Sequence, residues 1–144
     1  MLEDKVFKQW FYFRASGVRT GQPITFVLAN CHESSFPTAW PGYNVCASYN
    51  RKDWFRIPST YEAGALIWSV NCMYDQIYFA YFAPYSYERL ADLIAECVTS
   101  PAVRSVTSLG KSLDGRDIDM IKIGTGPKKV WFIARQHPGI VAAA

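Results

Sequence analysis

Ile77-Tyr78-Phe79-Ala80-Tyr81-Phe82-Ala83-Pro84-Tyr85-Ser86 is where this chain changes its period. Before Pro84, β-forming aromatic residues crowd together as in an extended segment. After it, Leu90, Leu93, Ile94 and Cys97 recur at three- and four-residue spacing, the apolar stripe of an amphipathic helix. Ser86 carries an oxygen able to cap the first turn, and Glu88 suits the positive end of the helix. The helix is expected to stop before Pro101. The chain therefore divides into a strand-rich domain over residues 1–83 and the opening of a mixed α/β domain over residues 84–144.

Upstream, residues 8–14 hold Trp10, Phe11, Tyr12 and Phe13 and predict a strand with aromatics on both faces. Residues 16–23 break it, and residues 24–29 predict a second strand. A loop marked by Pro37, Pro41 and Gly42 follows. Residues 45–49 and 54–57, joined by a turn over 50–53, predict a hairpin. Over residues 66–72 the alternation is clean, with Leu66, Trp68, Val70 and Cys72 on one side and Ile67, Ser69 and Asn71 on the other. A turn leads into a strand over residues 77–82. Short strands with no helix between them predict an antiparallel β-sandwich.

Downstream, residues 103–109 and 117–123 predict strands joined by the Asp114-Gly115 turn. Val130, Trp131, Phe132, Ile133 and Ala134 form an apolar run without alternation, the pattern of a central strand covered on both faces in a parallel sheet. The fold class expected is mainly β, an antiparallel sandwich followed by the first helix and strands of an α/β domain.

Half of the 144 residues are hydrophobic and 16% are aromatic, ample for a packed interior. A net charge of +3 with basic residues scattered along the chain leaves no electrostatic footprint for nucleic acid. The longest apolar stretches fall far short of the roughly 20 residues of a membrane helix, and no basic, apolar leader opens the sequence. A cytoplasmic location without membrane contact is expected. Cys31, Cys46, Cys72 and Cys97 lie far apart with no Cys-x-x-Cys pair, which points to buried free thiols rather than structural zinc.

Three features mimic functional motifs and fail on inspection. His32-Glu33 begins like a His-Glu-x-x-His zinc helix, but Phe36 occupies the second histidine position and Pro37 follows. Gly124-Thr125-Gly126 lacks the third glycine and the strand-to-helix context of a dinucleotide loop. The many aromatics suggest a binding platform, yet they are ordinary strand residues and core packing is the preferred reading.

Arg135, Gln136 and His137 follow the apolar run, and Pro138-Gly139 turns the chain there. Open α/β sheets place their ligands at such a strand end. Ala134-Arg135-Gln136-His137-Pro138-Gly139 resembles the first half of the His-Pro-Gly-Glu zinc motif of the zinc carboxypeptidases, in the cytosolic carboxypeptidase branch and its bacterial relatives. Trp10-Phe11-Tyr12-Phe13-Arg14, the stretch from Tyr78 to Ser86, and Ser112-Leu113-Asp114-Gly115-Arg116-Asp117-Ile118-Asp119 resemble, in the same order, segments of that family's N-terminal β domain and the start of its peptidase domain.

The resemblance implies the N-terminal portion of a hydrolase that uses zinc to remove carboxy-terminal, often acidic, residues from peptides or proteins. It makes His137 the first zinc ligand and leaves Arg135 either in the cleft lining or at a solvated strand end. It also exposes a departure, because Ile140 stands where the family's glutamate ligand is expected. The later histidine ligand, the glutamate that moves protons and the basic residues that hold the substrate carboxylate have no counterpart here. The chain by itself is therefore expected to be truncated within the motif, inactive and without bound zinc. Peptide and protein C-termini are the partners of the complete enzyme, and self-association through an exposed sheet around Trp131 is expected of this chain. The alternative is a non-catalytic interaction or folding module.

Overall fold

Seven strands precede Pro84 in the computed structural model, which describes residues 8–134. They are β1 Tyr12–Ser16, β2 Pro23–Leu28, β3 Val45–Ser48, β4 Phe55–Ile57, β5 Ser59–Glu62, β6 Ala65–Asn71 and β7 Gln76–Ala80. One antiparallel sheet runs β1-β7-β3-β4 and the other β2-β6-β5. The period-two pattern explains the pairing of faces. Phe13 and Ala15 of β1 lie opposite Phe79 and Ile77 of β7, while Ile24, Phe26 and Leu28 of β2 lie opposite Val70, Trp68 and Leu66 of β6. All of these side chains meet in one core.

Phe79 ties the two sheets together. Its ring centre is 4.6 Å from Phe26 and 5.4 Å from Trp68 of the other sheet, and 5.4 Å from Phe13 of its own. Truncating a ring so placed costs about 3–5 kcal/mol. Trp68 is held in a stack between Phe26 and Phe11. Its buried indole N–H has no acceptor among the described residues, a cost of about 1–3 kcal/mol that the aromatic packing offsets. Trp40 meets the same demand with two partners, donating to the Cys31 carbonyl at 3.0 Å and the Ser34 hydroxyl at 2.8 Å.

The expected sandwich is present, with two local differences. β1 starts at Tyr12 rather than at residue 8, because the lead-in is tied to the following loop instead of to β7. The Lys8 N–H donates to the Ser35 hydroxyl at 2.8 Å, and the Gln9 side chain accepts from the Phe36 N–H at 2.9 Å. β5 was absent from the sequence expectation. Ser59-Thr60-Tyr61-Glu62 is too polar to stand out, and its turn is Ala63-Gly64 with both φ angles positive, a type I′ geometry usually announced by Asn-Gly. The loop between β2 and β3 holds two single 3₁₀ turns, Cys31–Glu33 and Pro37–Ala39.

The described chain falls into two compact units, and the second begins at Tyr85. There α1 spans Tyr87–Thr99, and the Ser86 hydroxyl accepts from the Arg89 N–H as the sequence requires. β8 Val103–Lys111 and β9 Asp117–Ile123 form an antiparallel hairpin with irregularities at Val103/Ser105 and Ser108/Lys111. Lys111 and Asp117 face each other across it at 2.8 Å. That lysine, with the Ser108 hydroxyl, holds the Asp117 carboxyl below the usual carboxylate range. The Arg116 guanidinium lies 4.6 Å from the Tyr87 ring centre, joining hairpin to helix.

The strand expected at residues 130–134 is not formed. Val130, Trp131, Phe132 and Ile133 are exposed, Phe132 to 93%. A central strand exists only through ladder partners on both edges and cover on both faces. No strand among the described residues pairs with this run.

Candidate functional site

The two residues singled out as site candidates, His137 and Arg135, lie outside the described residues, as does Ile140. What can be tested is the donor set. The chain has two histidines. His32 sits in the first 3₁₀ turn, its Nδ1 3.3 Å from the Gly64 carbonyl and its Nε2 3.8 Å from the Glu33 carboxylate, both side chains largely exposed. Among the described residues no three His, Cys, Asp or Glu side chains converge on a metal position. A catalytic zinc needs three protein ligands and an open position. No such set is present among the described residues, and the Ile140 side chain carries no donor atom.

Three of the four cysteines offer no reactive centre. Cys31, Cys46 and Cys72 are buried free thiols, and burial raises the pKa of each, which keeps them protonated and inert. An open hollow of about 510 Å³ lined by Tyr49, Asn50, Met73, Tyr74, Asp75 and Gln76 carries no convergent set of titratable groups.

The more informative chemistry lies on the outward side of the β1-β7-β3-β4 sheet. Phe13, Ala47, Ile57 and Phe79 point into the core, so their neighbours Tyr12, Arg14, Cys46, Ser48, Arg56, Tyr78 and Ala80 point away from it. A half-solvated sheet would leave that side wet. Instead Cys46, Ser48 and Ala80 are 5%, 0% and 0% exposed, although none belongs to the core cluster. The turn after β3 folds over Ser48, whose hydroxyl accepts from the Arg51 N–H at 2.8 Å, and aromatic rings gather on the same side. Tyr12 contacts Trp54 and Tyr78, with ring centres 6.2 and 6.4 Å apart, and the Arg51 guanidinium lies 5.9 Å from the Tyr78 ring centre.

At the end of this sheet Tyr43 stacks on Tyr81 with centroids 5.0 Å apart, both packed against the core beside Trp40, and its hydroxyl donates to the Tyr81 and Ala80 carbonyls. Burial pushes the Tyr43 phenol well above its ordinary pKa, outweighing the opposing pull of Arg56. Arg56 spreads over the Tyr43 and Phe82 rings at 5.7 and 5.3 Å and donates to the Asn44 carbonyl at 2.6 Å. The sequence reading missed this arrangement. Its only trace there is that Arg14 and Arg56 sit one position out of phase with the core residues Phe13 and Ile57.

Comparison with known proteins places the chain in a family. Residues 3–82 match the cytosolic carboxypeptidase N-terminal domain. An uncharacterized protein of Zymomonas mobilis is 42% identical over 133 residues, 92% of this chain and 34% of that protein. A metallo-carboxypeptidase of Pseudomonas aeruginosa, solved in complex with (2-guanidinoethylmercapto)succinic acid, superposes with a TM-score of 0.73 at 36% identity, over 84% of this chain and 32% of its own. Cytosolic carboxypeptidase 2 of Danio rerio is 28% identical over 163 residues, 91% of this chain and 22% of that protein. The chain thus spans about a third or less of the length of these relatives. Its antiparallel sandwich and the family match over most of that sandwich lead to one conclusion: this chain belongs to the cytosolic carboxypeptidase N-terminal domain family.

Proposed function

We propose that the chain forms the N-terminal portion of a cytoplasmic zinc metallocarboxypeptidase that removes carboxy-terminal, often acidic, residues from peptides or proteins. In this reading residues 1–83 are the β domain and residues 84–144 open the α/β peptidase domain, whose first zinc ligand is His137 and whose cleft Arg135 lines. One observation carries it: similarity to a metallo-carboxypeptidase covers 84% of the chain, running past the N-terminal domain match at residues 3–82 into the helix and hairpin that follow. As a 144-residue polypeptide the chain is inactive and holds no zinc, because Ile140 offers no oxygen where a ligand is required. The exposed side chains of Val130, Trp131, Phe132 and Ile133 support its self-association. Ile140 also favours a second reading, a non-catalytic interaction or folding module.

Zinc titration separates the readings. The 144-residue chain and its His137→Ala variant are expected to bind zinc equally poorly. A longer chain, with glutamate at position 140 and continued with a relative's sequence, is expected to bind zinc stoichiometrically and release terminal glutamate from peptides. Stoichiometric zinc on the 144-residue chain that His137→Ala abolishes would overturn the proposed ligand deficit. Failure of the longer chain in both assays would leave the module reading.

A further inference from the structure

We propose that the free edge of β2 pairs antiparallel with β2 of a second copy of the chain, joining two β2-β6-β5 sheets into one of six strands. This contact is separate from the self-association assigned above to residues 130–133 and does not depend on the peptidase reading. β2 is paired with β6 along one side in an unbroken register from Pro23↔Asn71 to Leu28↔Leu66, and no described strand pairs with its other side. Such an edge presents a row of unpaired N–H and C=O groups, and proteins blunt it with charges, bulges, proline or a short length. β1 carries Arg14, β4 Arg56, β5 Glu62, β8 Arg104 and β9 Lys122. Among the described edge strands β2 alone, Pro-Ile-Thr-Phe-Val-Leu, has no charged residue. It has no bulge either, and Pro23 stands at its first position, leaving residues 24–28 regular.

The same lack of charge selects a second copy as the occupant. A two-fold contact sets each residue against itself or a near neighbour, so an edge bearing one sign of charge meets that sign across the axis. β1, β4 and β5 would suffer this repulsion and β2 does not. With the axis normal to the sheet, the outward residues Pro23, Thr25 and Val27 of one strand face the same three of the other, and Ile24, Phe26 and Leu28 do so on the core side. Those core-facing side chains are only half-buried at the open edge, whereas Leu66 and Trp68 opposite them on β6 are fully enclosed. Pairing therefore covers apolar surface as well as satisfying backbone groups. One strand pair about 20 Å long buries less than the roughly 1,200 Å² of a stable interface, which makes the dimer weak and dependent on concentration.

Sedimentation equilibrium of the 144-residue chain tests this in a Trp131→Ser/Phe132→Ser background, which removes two exposed rings of the other contact. Onto it are placed Thr25→Lys/Val27→Lys or Thr25→Glu/Val27→Glu, both positions being exposed on the outward side. Each charged variant alone is expected to dimerise at least about tenfold more weakly than the background chain, because like charges meet across the axis. An equimolar mixture of the two is expected to recover pairing as a mixed dimer, which a misfolded variant would not do. Three outcomes overturn the proposal. A background chain that is monomeric at about 1 mM would leave any association to residues 130–133. Dimerisation indifferent to the charged substitutions would place the contact elsewhere, and loss without recovery on mixing would give the edge to a different segment of the second copy.

Discussion

Tyr43 makes the stability of the first unit depend on pH in a direction opposite to that of a surface carboxylate. Its phenol is neutral and buried, donating to the Tyr81 and Ala80 carbonyls, and burial raises its folded pKa above the unfolded value of 10.0. The stabilisation is therefore complete below about pH 10 and is lost as pH rises through the folded value. Tyr43→Phe removes the buried hydroxyl that donates to the Tyr81 and Ala80 carbonyls and is expected to cost about 1–3 kcal/mol at neutral pH. It is also expected to flatten the decline of the urea midpoint above about pH 10. Urea unfolding followed across that range checks both, and parallel declines in the two proteins would show that another group governs alkaline unfolding.

At the scale of elements, the β5-β6 hairpin stores strain at its turn. Ala63 has φ 48, where a Cβ is unfavourable by about 1 kcal/mol, and asparagine is better tolerated. Ala63→Asn is expected to raise stability by up to about 1 kcal/mol. Gly64→Ala should do the reverse for two reasons: φ +82 disfavours any side chain, and the new Cβ would lie 2.9 Å from His32 Nδ1. Adding His32→Ala removes the ring contact but keeps a Cβ at 3.1 Å, so the double variant is expected to recover part of the loss. Thermal melts of the three proteins decide it, and full recovery would mean that the backbone strain is negligible.

For the whole molecule, burial is unequally shared. Every fully buried residue among those described belongs to the first unit, where two sheets enclose Trp40, Leu66, Ile77 and Phe79. In the second unit Leu90, Ile94 and Cys97 are only half-covered and Leu93 and Val98 are exposed. Secondary structure without buried apolar area opens locally at low cost. Hydrogen exchange should therefore show two tiers, with β3, β6 and β7 protected to the level of global unfolding and α1, β8 and β9 exchanging at least about tenfold faster. Equal protection in both would show that the second unit is stabilised by contacts beyond those described.

The sequence alone determined what depends on neighbours along the chain. The period-two alternation of residues 66–72 placed Leu66 and Trp68 inward, Ser86 marked the start of α1, and Asp114-Gly115 located the hairpin turn. Only the tertiary structure decided what depends on distant partners. β6 and β7 are consecutive yet lie in different sheets, because β7 is claimed on its two edges by β1 and β3. β5 exists because β6 offers it a ladder, whereas residues 130–134, far better strand formers, stay unpaired because none of the described strands does. Arg14 and Arg56 looked scattered along the chain and come to one face through strand register, and Arg51 joins them from the turn between β3 and β4. Alternation and caps are local steric and hydrogen-bonding preferences, but a sheet is a set of non-local hydrogen bonds, and the apolar pattern of one strand does not say which other strand will complete it.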